Sequence, residues 1–163
     1  MDTTEILIKI RKIVRSLNIE SKKIQKEYGV SIPQALCLNL LHSSKNYQAT
    51  QTEIRKFLNL NPSTISGIIN RLENKGLVAR LPRSGDKRKV TIAITSKGDG
   101  LIKRIPSLLH DRLSDKLVKF DDKTLQQLFE SLELLVNILE INDLEAFSPI
   151  TDSEGFNDNT RQS

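Results

Sequence analysis

Polar and basic residues gather in the middle of the chain, at spacings suited to hydrogen bonding and to contact with a polyanion. Between residues 61 and 76, a helical pattern places six polar or small residues on the face opposite its isoleucines: Ser63, Thr64, Ser66, Gly67, Asn70 and Arg71. Four cations follow in the run PRSGDKRK, namely Arg83, Lys87, Arg88 and Lys89. Hydroxyl, amide and guanidinium groups hydrogen bond to base edges and phosphates, so the pattern indicates nucleic acid as the partner.

The charge distribution favours the same partner. The whole chain carries +5, but residues 43–104 hold 13 Lys and Arg against four Asp and Glu, a local balance of +9. Residues 141–163 hold one Arg against five acidic residues, a balance of −4. A basic middle is typical of nucleic-acid binding, although an ordinary solvated surface can give the same counts.

The first element that must position these groups is a short helix. Thr50 and Glu53 form a T-x-x-E capping box, which predicts a helix that begins near Gln51. The helix should end at Leu58, with three residues facing inward: Ile54, Phe57 and Leu58. Asn59 to Asn61 then form a turn.

A second helix follows with clear signals at both ends. Asn61 is placed as the N-cap, with Pro62 at the first helical position. Gly76 is placed for the left-handed residue of a Schellman motif at the end of the helix. A helix-turn-helix over about residues 50–76 is therefore predicted. The amides at the starts of the two helices suit phosphates, but capping alone would explain the residues found there: Thr50, Gln51, Asn61 and Ser63.

Gly67 stands in the middle of the second helix, where glycine costs about 1 kcal/mol relative to alanine. Its presence has two explanations of equal weight. Either the helix backbone lies close to a ligand at this point, or Gly67 is a tolerated surface residue.

A basic β-hairpin is predicted directly after the second helix. Leu77–Leu81 and Val90–Ile94 are short β-prone runs, and the four cations lie in the turn between them. Residues 77–94 therefore form the wing of a winged helix that extends over residues 30–98.

Helices are predicted on both sides of this winged helix. Residues 1–28 carry an amphipathic stripe, and residues 96–141 resume the helical pattern with a kink expected at Pro106. The leucines between residues 125 and 139 alternate steps of three and four, which indicates packing against another helix. The fold class is mainly α, with about six helices and a small hairpin. Residues 142–163 form an acidic, flexible tail, which is either a solvated end or a segment that folds back and competes with nucleic acid.

Catalysis, metal binding and a cofactor find little support. The two histidines, His42 and His110, are far apart in sequence and are better explained as structural or surface groups. No Gly-rich phosphate loop, nucleophile elbow or paired metal-ligand motif is present. The single cysteine excludes an internal disulfide, and with no signal peptide and no long apolar run, we expect a cytoplasmic protein without membrane insertion.

Cys37 lies in the apolar run ALCLNLL, where a free cysteine usually behaves as a small buried hydrophobe. A reactive thiol needs exposure and an electropositive setting. We therefore predict a packing role for Cys37 rather than a redox role.

The run STISGIINRLENKGLVAR, followed by DKRKVTIAITSKG, resembles the multiple antibiotic resistance regulator (MarR) family of winged-helix proteins. The match is specific at Arg71 to Arg80, at Asp86-x-Arg88 and at Ile94-Thr95-x-x-Gly98. Its organisation extends over residues 5–141, so the resemblance implies one MarR-like domain over residues 1–141.

The resemblance also implies a function. The helices of residues 1–28 and 96–141 would pair with a second subunit, and the homodimer would bind a pseudo-palindromic operator in double-stranded DNA, as a repressor of transcription. Arg88 would enter the minor groove, Asp86 would orient the wing, and an unidentified small molecule could act as effector. The alternative is a winged helix that binds another protein and no DNA.

Overall fold

The computed structural model describes residues 2–82, 85 and 88–147. These residues form seven α-helices, three β-strands and one 3₁₀ turn, which confirms the mainly α fold class with one helix more than the six expected. The helices are α1 (Thr3–Tyr28), α2 (Ile32–Ser43), α3 (Gln51–Leu58), α4 (Pro62–Asn74), α5 (Ser96–Arg104), α6 (Leu109–Leu117) and α7 (Asp122–Ile138). The strands are β1 (Gln48–Thr50), β2 (Val78–Arg80) and β3 (Thr91–Ile94), and the 3₁₀ turn is Lys45–Tyr47.

The chain divides into two compact units. One consists of Met1–Tyr28 and Arg104–Leu144 and carries α1, α6 and α7. The other consists of Gly29–Lys103 and Glu145–Ser163 and carries the helix-turn-helix, the sheet and nearly all of α5.

Helix α2 forms much of the core of the second unit. The Ser31 hydroxyl accepts a hydrogen bond from the Gln34 amide, and the Gln34 side chain accepts one from the Ser31 amide, so the helix begins with a capping box. The apolar residues from Ala35 to Leu38, together with Leu41, are buried. This core is the support on which the helix-turn-helix rests.

The three strands form one antiparallel sheet in the order β1-β3-β2. The sequence predicted the β2–β3 hairpin but not β1, which is only three residues long and lies directly before α3. Ala49 of β1 is opposite Ile92 of β3, and Ile92 is fully buried at the centre of the sheet. The strand β1 thus joins the start of the helix-turn-helix to the wing.

Gly98 allows α5 to approach the hairpin closely. A Cβ atom at this position would lie 2.1 Å from the carbonyl oxygen of Leu77 and 2.9 Å from Cγ1 of Ile94. The Thr95 hydroxyl donates to the carbonyl of Gly76 at 2.7 Å, and the Gly98 amide donates to that hydroxyl at 3.1 Å. The residues Ile94-Thr95-x-x-Gly98 therefore tie the exit of the wing to the end of α4.

Pro106 breaks the helix rather than kinking it, so this expectation was wrong. Helix α5 ends at Arg104, and α6 begins at Leu109 after an extended Leu108. Proline has no N–H and disfavours helical backbone at the preceding residue, which here is Ile105. Because Ile105 and Leu108 are both buried, the break is also anchored by packing.

Helices α1, α6 and α7 expose an unusual amount of apolar surface. Helix α7 is capped by Asp121, whose carboxylate accepts a hydrogen bond from the Thr124 amide at 2.7 Å, and none of the residues of α7 is buried. Large exposed residues of the three helices include Leu7, Ile13, Val14, Leu17, Leu113, Leu128, Phe129, Leu132 and Leu134. Within the described ranges, no helix combines the length and apolar character required to cross a membrane.

Candidate nucleic-acid interface

Helix α3 has the predicted boundaries and the predicted capping box. The Thr50 hydroxyl accepts from the Glu53 amide at 3.1 Å, and the Glu53 carboxylate accepts from the Thr50 amide at 2.7 Å. Ile54 and Leu58 are buried as expected, but Phe57 is 43% exposed, so its predicted inward position was wrong. Residue 57 is turned by about 100° around the helix from residue 58, away from the buried stripe.

Helix α4 begins with Asn61 as N-cap and Pro62 at the first position, as predicted, although the Asn61 side chain makes no capping hydrogen bond. It ends in the predicted Schellman motif. Gly76 has a φ of 72°, its amide donates to the Glu73 carbonyl, and the Leu77 amide donates to the Leu72 carbonyl. Both ends of α4 are therefore fixed in place.

The inner face of α4 is anchored by four residues with no exposed surface: Ile65, Ile68, Ile69 and Leu72. On the outer face, Ser63 and Asn70 are exposed, while Ser66, Gly67 and Arg71 are half-buried. Thr64 was predicted to face outward, and this is wrong, because its side chain is only 6% exposed. It follows Ser63 by about 100° around the helix and lies beside Ile65 and Ile68 on the buried side.

Helices α3 and α4 are linked by a side-chain hydrogen bond across the turn. Gln51 donates from Nε2 to Oγ of Ser66 at 3.0 Å, and its backbone amide donates to the carbonyl of Val90 at 2.8 Å. Of the amides at the start of α3, those of Gln51 and Glu53 thus already have partners inside the protein. This arrangement ties the two helices and the wing together at one point.

The start of α4 holds a carboxylate from the far end of the chain. Glu145 accepts a hydrogen bond from the Asn61 amide at 2.6 Å and another from the Thr64 hydroxyl at 2.8 Å. The positive end of the helix dipole lies at this position, so an anion is stabilised here. In the free protein, Glu145 supplies that anion.

The outer end of α4 is joined to β2. Arg80 donates from Nη1 to the Glu73 carboxylate at 2.7 Å and from Nη2 to Oδ1 of Asn70 at 2.6 Å. Its backbone amide also donates to the Glu73 carboxylate at 3.3 Å. Asn70 is therefore held by a residue from outside its own helix.

Arg71 lies back along α4 towards Gly67. A Cβ atom at Gly67 would be 3.4 Å from Nη1 of Arg71, and no other atom of the described residues would lie within 4 Å of it. Because that neighbour is the end of a flexible side chain, the folded protein does not need a glycine here for packing.

The hairpin contributes exposed cations beside these helices. Arg88 and Lys89 are exposed, whereas Arg83, Asp86 and Lys87 lie outside the described residues. The hydrogen bonds from the amide and hydroxyl of Thr50 lower the pKa of Glu53, and the charge of Lys89 contributes to the shift. Lys89 is thus close enough to the start of α3 to influence its electrostatics.

Two residues of this interface were not singled out from the sequence. Arg80 lies in the run RLENKGLVAR, but its bonds to Glu73 and Asn70 exist only because β2 runs back beside α4. Glu145 is more than 80 residues along the chain from Asn61 and Thr64, the two residues that donate hydrogen bonds to it. No local pattern could have found either contact.

The other residues considered for chemistry lie elsewhere and are engaged structurally. Cys37 is buried, and burial raises the pKa of its thiol to about 12. Nδ1 of His42 is 2.6 Å from the Asp99 carboxylate, which also pairs with Lys103 at 2.6 Å. In the ranges that the structure describes, no group of three or more His, Cys, Asp or Glu side chains could hold a metal ion.

A helix-turn-helix followed by a hairpin, with polar groups on the outer face of the second helix and exposed cations on the hairpin, defines a winged-helix DNA-binding protein. Residues 30–90 match the MarR family. The chain is 35% identical over 112 residues to the homoprotocatechuate degradative operon repressor of Escherichia coli, a match that covers 69% of this chain and 74% of that protein. It is 26% identical over 137 residues to the HTH-type transcriptional repressor YetL of Bacillus subtilis, with coverage of 80% and 82%. This chain therefore belongs to the MarR family of transcription regulators and is not an enzyme.

A solved structure shows the same fold. Sco3205, a MarR family transcriptional regulator from Streptomyces coelicolor that was crystallised in complex with DNA, superposes with a TM-score of 0.62 at 20% identity. The superposition covers 88% of this chain and 92% of Sco3205.

Proposed function

We propose that this chain represses transcription in the cytoplasm by binding a pseudo-palindromic operator in double-stranded DNA as a homodimer. The observation that carries the proposal is the division of α4 between a fully buried apolar face and an exposed polar face. A recognition helix needs both, because one face fixes it to the domain while the other contacts base edges in the major groove. Ser63 and Asn70 are the exposed polar residues of that face.

The wing supplies the contacts that do not depend on base sequence. Arg88 and Lys89 are exposed on the hairpin, and arginine is attracted by the negative potential of a narrow minor groove. We propose Arg88 as the residue that enters this groove and Asp86 as the residue that orients the wing. The complete set of proposed DNA contacts is Thr50, Gln51, Asn61, Ser63, Thr64, Ser66, Gly67, Asn70, Arg71, Arg83, Lys87, Arg88 and Lys89. Of these, Thr64 does not face outward, and we propose that it contacts only a phosphate at the start of α4, through the hydroxyl that now donates to Glu145.

A homodimer accounts for the apolar surface of α1, α6 and α7. Leu128 and Leu132 of α7 are 40% and 51% exposed in the single chain, although they lie on the stripe that alternates steps of three and four. Burying one such side chain stabilises the buried state by about 1.5–3 kcal/mol relative to leaving it in water. The stripe therefore favours packing against a second helix. A second copy of the same chain supplies a matching stripe, and the homodimer then carries two copies of α4.

A candidate site for a small-molecule effector lies between α1 and α6, in the unit that carries α1, α6 and α7. A groove of about 490 Å³ there is lined by four cations, namely Lys12, Arg15, Lys23 and Arg112. Glu20, in the same groove, accepts a hydrogen bond from the Leu109 amide at 2.7 Å. The excess of cations suits an anionic molecule.

Benzoate, used as a probe, should weaken DNA binding in the wild type but not in Arg15→Gln. An equal response of both proteins excludes this groove as the effector site.

Salt dependence of DNA binding tests the proposed function. Affinity for a labelled duplex should fall by several orders of magnitude between roughly 50 and 200 mM salt, because each phosphate contact releases counterions. Arg88→Ala should weaken binding to every sequence and reduce the slope of log affinity against log salt by about 1. Lys119→Ala, in the connection between α6 and α7, removes the same charge and should leave the slope unchanged.

The alternative function, a winged helix that binds another protein, predicts a different outcome. An interaction module would bind duplex DNA weakly at every salt concentration and would not distinguish Arg88→Ala from Lys119→Ala. Such a result would overturn the proposed function.

A further inference from the structure

The guanidinium of Arg80 donates to two residues of α4, Glu73 and Asn70. Nη1 is 2.7 Å from the Glu73 carboxylate and Nη2 is 2.6 Å from Oδ1 of Asn70. Glu73 compensates the charge of Arg80, and the side chains of both residues are about one-third exposed. Although Arg80 belongs to the basic part of the chain, these bonds do not suit it to grip a phosphate.

The contact fixes which atom of Asn70 faces Arg80. A guanidinium has five N–H donors and no acceptor, so the atom it meets must be the amide oxygen. The amide nitrogen, with its two donors, then lies on the opposite side of the Asn70 side chain. Asn70 is exposed on the outer face of α4, so we infer that its amide N–H groups are the ones that it offers to DNA.

The orientation of the Asn70 amide determines which bases it can contact. An unrestrained asparagine pairs with adenine through both atoms, because adenine offers an acceptor and a donor in the major groove. Guanine offers two acceptors and thymine one, whereas cytosine offers only a donor. An asparagine whose oxygen is already bonded to Arg80 contacts bases through its N–H donors, which suit the acceptors of guanine and thymine, make only one of the two adenine contacts and find no acceptor on cytosine.

We propose that Arg80 is a positioning residue for base recognition, which holds Asn70 as a hydrogen-bond donor and so makes the protein prefer guanine or thymine over cytosine at one position of each half-site. The proposal rests on the proposed function, in which α4 enters the major groove. If Arg80 served only to brace β2 against α4, its loss would lower stability and weaken binding to all sequences alike.

Competition binding with a set of altered operators tests the proposal. Starting from a selected operator, each half-site base pair is replaced by the other three in turn, and each duplex competes with the labelled original. The wild type should discriminate against cytosine by about tenfold or more at one position, as a good side-chain contact to a base does. Asn70→Ala, a change at an exposed residue, should abolish discrimination at that position alone and thereby identify it.

The Arg80 variants then distinguish two roles of Arg80: orienting the amide of Asn70, and holding β2 against α4. Arg80→Gln and Arg80→Lys should lose the preference at the Asn70 position and keep the preferences at all others. Arg55→Gln, which neutralises an arginine of α3, should weaken binding uniformly and keep every preference. Retention of the full pattern by both Arg80 variants, or by Asn70→Ala, overturns the proposal while leaving DNA binding intact. A wild-type protein that prefers no duplex overturns the proposed function itself, before any variant is compared.

Discussion

The carboxylate of Glu145 accepts a 2.8 Å hydrogen bond from the hydroxyl of Thr64, a residue in the first turn of α4. The same carboxylate accepts from the amide of Asn61, so it binds the start of α4 with both oxygens. A DNA phosphate at the end of a recognition helix would use the same donors. Of the two hypotheses for the acidic segment, this contact favours competition with DNA.

Replacement of Glu145 by glutamine should therefore tighten DNA binding. An anion at the end of a helix is stabilised by about 0.3–1 kcal/mol, so Glu145→Gln should raise affinity by roughly two- to fivefold. Asp143→Asn removes the same charge two residues earlier and should raise affinity less. Fluorescence anisotropy with a fixed duplex gives both constants. Equal effects of the two variants would mean that only net charge matters and that the hydrogen bonds do not compete with DNA.

Replacement of Gly67 by alanine should stabilise the free protein and weaken its DNA binding. The space around Gly67 admits a methyl group, and alanine in a helix is favoured by about 0.5–1 kcal/mol. Gly100→Ala on α5 is the control, since none of the residues that the structure describes lies within 4 Å of a Cβ atom there. Urea denaturation should show a higher free energy of unfolding for both variants. Only Gly67→Ala should lose affinity for DNA. Unchanged affinity would identify Gly67 as a tolerated surface glycine.

Replacement of Gly98 by alanine should have the opposite effect on stability. A Cβ atom would lie 2.1 Å from the backbone oxygen of Leu77, which cannot move without shifting the exit of the wing. Overpacking of this kind typically costs about 1–3 kcal/mol of stability. Urea denaturation of Gly98→Ala should therefore show a free energy of unfolding that is lower by about this amount or more. Stability equal to that of Gly100→Ala would contradict the close approach of α5 to the hairpin.

The thiol of Cys37 should react slowly in the folded protein. Its side chain is fully buried, and burial raises the pKa of the thiol to about 12, so little thiolate forms near neutral pH. Alkylation by iodoacetamide should be slower by roughly two orders of magnitude or more than in the urea-unfolded chain. Labelling at similar rates in the two states would argue for an accessible thiol and would reopen a redox role.

The sequence predicted those parts of the fold whose signals are local. The capping box of Thr50 and Glu53 and the Schellman glycine Gly76 depend on residues within one helical turn, and both were confirmed. Thr64 and Phe57 were placed wrongly because each lies at the edge of a helical stripe, where periodicity does not decide burial.

The remaining features depend on contacts between distant parts of the chain. Strand β1 has only three residues and is recognisable as a strand only because it pairs with β3. Arg80 and Glu145 meet α4 only after β2 and the segment beyond α7 have folded, so charge and spacing along the chain could not reveal them. At Pro106 the sequence predicted a kink, whereas the helix breaks completely, and the burial of Ile105 and Leu108 holds the break in place.

Selection of bound duplexes from a random pool tests the central claim most directly. A homodimer that places one α4 in each of two successive major grooves should enrich a two-fold symmetric consensus, with half-site centres about 10 base pairs apart. Enrichment of no sequence, or of a single half-site without symmetry, would contradict the account.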